Sequence, residues 1–215
     1  MAITVIGLQV GRVRSEGDPQ RRDWQGRYWT SAFRKESVAG PLRLTESGFV
    51  GDEIADRQNH GGPDKAALVY AESHYPRWRA THADLDFGPG GFGENLTVRG
   101  AEESTVCLGD RYSLGTAEVQ ISQPRQPCWK ISRRWGRGTL TKEVAQTGRT
   151  GWYLRVLRPG TVGVGDRMEL IERPHPQWSV ARANDVLFGR EVDRAAVTAV
   201  MAIPELADAW KDSIA

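Results

Sequence analysis

The chain of 215 residues is expected to be mainly β with flanking helices: a barrel or sandwich of short strands followed by a small helical module. Three observations predict this. Glycines and turn signals cut most of residues 1–173 into short segments, as all-β barrels and sandwiches require. The run Val106-Cys107-Leu108-Gly109-Asp110-Arg111-Tyr112 is echoed by Val162-Gly163-Val164-Gly165-Asp166-Arg167-Met168, and both read as strands joined through tight Gly-Asp turns. After Pro174-His175-Pro176 the pattern changes to capped, helix-like segments, which divides the chain into a β domain over 1–173 and a three-helix module over 174–215.

The first strand-like run is Ile3 to Val10, and a third Gly-Asp pair, Gly51-Asp52, follows Phe49-Val50. These Gly-Asp pairs read as turn punctuation rather than catalytic aspartates. Ala66 to Trp78 is expected to hold a helix. A second helix is expected over Leu140 to Gln146, with Thr139 as its N-cap and Gly148 near its end. In the tail, Ser179 caps a helix ending near Gly189, Asp193 caps one ending before Pro204, and Glu205 to Trp210 forms a third.

A chain of this length buries a substantial core without staples. Two cysteines and no apolar signal segment before Ile3 point to a reducing, cytoplasmic setting, and no apolar run approaches the roughly 20 residues of a membrane span.

Chemistry concentrates around Cys128. Pro124 and Pro127 stiffen the backbone before it, and Arg125 and Lys130 flank it, an electropositive setting that favours thiolate. Between Ile121 and Arg158 nine Lys or Arg residues face one acid, Glu143, and Trp129, Trp135 and Trp152 lie in the same segment. Such a place suits an anionic ligand with an aromatic ring. Cys107, in a short apolar run, reads instead as a small buried hydrophobe.

Two other stretches carry weaker signals. Gly88-Pro89-Gly90-Gly91-Phe92-Gly93 formally contains a dinucleotide fingerprint, but a strand-like run follows it, leaving a loop whose amides are free to face an anion. In Asp56 to Ala66, Gly61 and Gly62 give freedom beside His60, Asp64 and Lys65, so this loop is expected to wrap a ligand. No P-loop, zincin, nucleophile-elbow or zinc-finger spacing occurs.

Taken in order, Asn59-His60-Gly61-Gly62-Pro63-Asp64-Lys65-Ala66, Gly93-Glu94-Asn95-Leu96, Gly109-Asp110, Gln123-Pro124-Arg125-Gln126-Pro127-Cys128 and Thr147-Gly148-Arg149-Thr150-Gly151-Trp152-Tyr153 resemble the MOSC-domain family, and more narrowly its YiiM-like branch. The resemblance spans nearly the whole chain and implies a β-barrel that binds molybdenum cofactor. It implies Cys128 as thiolate ligand to the metal, His60 and Asp64 as further catalytic residues, and Lys65, Glu94, Asn95, Arg125, Arg149 and Tyr153 at the cofactor.

The implied activity is reduction of N-hydroxylated compounds, including hydroxylaminopurine base analogues, with two electrons, two protons and release of water. His60, Asp64 or Glu94 would deliver protons, and a separate reductase would deliver electrons. A homodimer is compatible with the family. A non-catalytic molybdenum-cofactor carrier is the main alternative. Metal-free cysteine chemistry with His60 as base is a second alternative, and nucleic-acid binding through the Arg and Trp stretch ranks low because overall charge is only +2 and the positive run surrounds the proposed cofactor site.

Overall fold

The computed structural model describes residues 2–214. The chain opens with β1 (Ile3–Gly11), β2 (Arg14–Glu16), β3 (Trp29–Ser31), β4 (Lys35–Ser37), β5 (Leu42–Thr45) and β6 (Gly48–Phe49). It continues through α1 (Arg57–His60), a 3-10 turn at Pro63–Lys65, β7 (Ala67–Ala71), α2 (His74–Thr81), β8 (Leu96–Arg99), β9 (Arg111–Leu114) and β10 (Ala117–Pro124). Then come α3 (Lys130–Trp135), α4 (Leu140–Thr147), β11 (Trp152–Arg158), β12 (Gly160–Val162), β13 (Arg167–Glu172), α5 (Val180–Leu187), α6 (Arg194–Met201) and α7 (Asp208–Lys211).

Seven strands close a barrel in the order β13-β9-β10-β11-β7-β8-β1, and β1 pairs back onto β13. Closure removes the exposed edges that an open sheet would present. Every barrel pairing is antiparallel except β7 with β8. β4 adds to the far end of β1, which carries Lys35 against Gly11.

The echoed Gly-Asp segments do the turn work expected of them. Gly109 and Gly165 have φ of 77° and 97°, which side-chain-bearing residues rarely adopt. The Asp166 carboxylate accepts from Gly163 N at 2.8 Å, and the buried Asp110 carboxylate accepts from Cys107 N at 2.9 Å.

One expected helix is not there. Ala67 to Ala71 is a strand buried on both faces, and the helix is confined to His74–Thr81. A short apolar run reads alike as buried helix or buried strand, because neither period shows when every position is inside. Here Ala67 and Val69 enter the barrel core, while Tyr70 joins a second apolar cluster with Tyr75, Trp78, Phe87, Phe92, Ile131, Leu140 and Val144. That outer cluster seats α3 and α4 on the barrel beside the glycine-rich loop.

The tail forms three helices. Ser179 caps α5 by accepting from Arg182 N, and Asp193 caps α6 by accepting from Ala195 N. The third, α7, starts at Asp208 rather than Glu205. Trp178, Val180, Ala183, Val200, Leu206 and Trp210 belong to the same buried cluster as the barrel core. Ala207 N donates to the Ser122 carbonyl of β10 at 3.0 Å, so the tail is packed onto the barrel through apolar area and hydrogen bonds together.

Candidate active site

Cys128 sits where β10 has left the barrel and α3 is about to begin. Its carbonyl accepts from Ile131 N at 3.1 Å and from Thr141 Oγ1 at 3.0 Å, which fixes the backbone. Its half-buried thiol borders a cavity of about 740 Å3, counted out to its open mouth. His60, Lys65, Asn95, Arg125, Lys130 and Tyr153 border the same cavity.

Two of these groups are buried cations. Arg125 is 3% exposed and Lys130 6%. The Arg125 guanidinium donates to the carbonyls of Thr150 at 3.3 Å and Phe92 at 3.0 Å. Among the described residues no carboxylate lies within 4.0 Å of either cation. A buried charge without a counter-ion is costly, and an anionic ligand relieves that cost. Lys65 donates to the Asn59 carbonyl at 2.7 Å, and burial pulls its pKa down.

His60 ends α1. Burial, followed by the Lys130 charge, pushes its pKa down to about 4, so its ring is neutral near pH 7. Its Nδ1 is buried with no hydrogen-bond partner among the described residues, and Asp56 Oδ2 stands 3.5 Å away. Tyr153 leaves β11 toward the cavity, and burial raises its pKa to about 12, keeping the phenol protonated.

Three residues implied by motif position do not border the cavity. Asp64 is turned to Arg155 Nε at 2.5 Å. Arg149 lies over the Trp78 ring at 5.4 Å. Glu94 is sealed inside, accepting from Gly90 N at 2.6 Å, Phe92 N at 2.9 Å and the Tyr75 hydroxyl, and burial raises its pKa. The loop amides of Gly90 and Phe92 are therefore spent on the Glu94 carboxyl group. The carboxylate organises the loop instead of meeting a ligand.

Sequence reasoning missed Lys35 and Asp52, which both border the cavity and pair there. Asp52 belongs to the third Gly-Asp pair, yet its carboxylate accepts from Lys35 and Asn95 instead of closing a local turn. No local signal separates it from Asp110 or Asp166. Cys107 behaves as expected: it is buried, remote from the cavity, and its thiol pKa is raised by burial.

Residues 56–169 match the MOSC domain, and residues 178–215 match the YiiM-like, 3-alpha helix domain. The chain is 38% identical over 210 residues to the uncharacterized protein YflK of Bacillus subtilis, covering 98% of this chain and 92% of that protein. It is 40% identical over 146 residues to protein YiiM of Escherichia coli, covering 66% of this chain and 65% of that one. A Gibberella moniliformis protein named reductase is 40% identical over 167 residues, 76% of this chain but only 29% of its own length. The crystal structure of YiiM from Geobacillus stearothermophilus superposes with a TM-score of 0.81 at 31% identity, covering 99% of this chain and all of that one. Barrel, tail and ordered motifs agree: the chain belongs to the MOSC-domain family, in the branch that ends in a YiiM-like three-helix domain.

Proposed function

We propose that this protein is a molybdenum-cofactor-dependent reductase of N-hydroxylated compounds, hydroxylaminopurine bases among them, with the Cys128 thiolate as ligand to the metal. The observation that carries the reading is the Cys128 thiol sharing one cavity with Arg125 and Lys130, two buried cations lacking a carboxylate partner within 4.0 Å among the described residues. Its reductase-named relative supports the reaction class.

The donor set fits the cofactor. No group of three His, Cys, Asp or Glu side chains among the described residues is placed to hold a metal ion by itself. One thiolate is enough for a metal that arrives already bound by the sulfurs of its own organic ligand. Arg125, Lys130 and Lys65 would meet its phosphate, the unpartnered His60 Nδ1 would offer a polar contact, and the Tyr153 ring would pack on the pterin or on a purine substrate, whereas the Asn95 amide is spent on Gln9 O, Asp52 and Leu68 N and only lines the wall. When bound, the cofactor supplies the two-electron chemistry, and this chain supplies position and charge. His60 is neutral near pH 7 and acts as a hydrogen-bonding group, not as a charged acid. Electrons come from a separate reductase.

Molybdenum and pterin content of wild type and Cys128→Ala, both purified from a host that makes the cofactor, test the reading. Near-stoichiometric loading of wild type, with weak or altered loading of the variant, is expected. Folded wild type that neither carries nor takes up the cofactor overturns it. Loaded protein that reduces none of several N-hydroxylated substrates with several donors is a carrier.

A further inference from the structure

Lys35 and Asp52 make a donor site on the cavity wall that the cofactor assignment leaves unused. The Lys35 ammonium lies 2.5 Å from both Asp52 oxygens, and each side chain is less than one-tenth exposed. Asp52 is fully engaged, because its Oδ1 also accepts from Gly11 N at 2.6 Å and its Oδ2 from Asn95 Nδ2 at 2.9 Å. An ammonium has three protons. Asp52 takes two, and the third has no acceptor among the described residues, although Lys35 borders the same cavity as Cys128.

The pair is also held in place. A Cβ at Gly11 would stand 3.2 Å from Lys35 Cδ and 2.2 Å from the Ala32 carbonyl oxygen, so the lysine stem is packed tightly against bare backbone. Burial lowers the Lys35 pKa, while Asp52 in contact and Glu94 behind it favour its charge. The other charged groups of the cavity are Glu53, which accepts from Arg12, Asp56, which accepts from Asn59, and the cations Arg125, Lys130 and Lys65. Neutral His60 and the strongly held Tyr153 proton leave the cavity's lysines as proton donors, and among the described residues Lys35 is the one of these that a carboxylate holds in place.

We propose that Lys35, positioned by Asp52, donates a hydrogen bond and then a proton to the N–O oxygen of the N-hydroxylated substrate. This rests on the reductase reading above. As the N–O bond breaks, the substrate nitrogen would gain the two electrons that the cofactor, when bound and recharged by the separate reductase, would supply. The leaving oxygen keeps its own hydrogen, takes the Lys35 proton and departs as water. A second proton, from solvent, completes the amine, and neutral Lys35 is reprotonated from solvent through the open mouth.

The test compares wild type with Lys35→Arg and with the double variant Lys35→Met/Asp52→Asn, which leaves no bare buried carboxylate. Each is loaded with cofactor, pre-reduced and mixed with hydroxylaminopurine. Molybdenum content and the single-turnover rate are read across pH, and the Lys35 Nζ resonance is titrated in unloaded, lysine-labelled wild type. Expected are wild-type loading, rates at least ~100-fold lower in both variants, and an alkaline fall in the wild-type rate that Lys35→Arg lacks. The Lys35 resonance should titrate below those of exposed lysines. A loaded double variant within about threefold of the wild-type rate overturns the donor role and leaves the reductase reading standing. Loss of cofactor from both variants also overturns it, making the pair a cofactor-holding element. Loaded wild type that reduces nothing overturns both.

Discussion

Arg125 donates to the backbone carbonyl of Phe92 at 3.0 Å, joining the loop that ends in Cys128 to the glycine-rich loop that Glu94 organises. One buried guanidinium thus braces two walls of the cavity while its charge stays without a carboxylate partner among the described residues.

Replacing Arg125 with Met should therefore affect both binding and folding. Loss of a charged hydrogen-bond donor costs roughly 1.5–3 kcal/mol per contact, so cofactor affinity should fall at least ~10-fold. The Thr150 and Phe92 carbonyls lose their donor, and chemical denaturation should show a further loss of about 1–3 kcal/mol. Unchanged affinity in a folded variant removes Arg125 from the ligand site.

The two cysteines should separate cleanly. Burial raises the Cys107 thiol pKa, whereas Cys128 borders an open cavity. Alkylation of unloaded protein near pH 8, followed by peptide mapping, should label Cys128 well before Cys107. Cys128→Ser should abolish turnover, and Cys107→Ala should cost about 1 kcal/mol of stability with loading intact. The reverse pattern would put the chemistry at the wrong thiol.

His60 predicts a pH dependence. Its folded pKa of about 4 lies below the ordinary 6.5, so the unfolded chain binds its proton first as pH falls. The contribution of His60 to stability is constant above about pH 6.5, declines through the interval down to about 4, and levels below it. The full interval corresponds to roughly 3 kcal/mol at most, and the ring's partial exposure lowers the expected effect to about 2 kcal/mol. Denaturation midpoints at several pH values should be flatter across this window in His60→Gln than in wild type. Parallel curves would show that the ring is not desolvated.

The tail should not melt by itself. Trp210 is fully buried in the cluster that also contains barrel residues Val5, Leu114 and Ile121. Trp210→Ala should cost about 3–5 kcal/mol and lower the midpoint of a single transition seen by both near- and far-ultraviolet circular dichroism. Two separated transitions in wild type would mean that the helices form an independent unit.

The sequence alone determined what depends on neighbours along the chain. Turn glycines at 109 and 165, the Ser179 and Asp193 caps and the alternation of short strands all act within a few residues, so their chemistry is visible in order. The clustering of Cys128, Arg125 and Lys130 was legible for the same reason. Tertiary structure decided what depends on distant surroundings. Ala67–Ala71 became a strand because β8 and β11 cover its edges and two apolar clusters cover its faces. Asp64, Glu94 and Arg149 turned away because Arg155, the loop amides with Tyr75, and Trp78 were better partners than the cavity. Lys35 and Asp52 met across 17 positions only once β4 had paired with β1, an encounter that closure of the chain creates and no local pattern encodes.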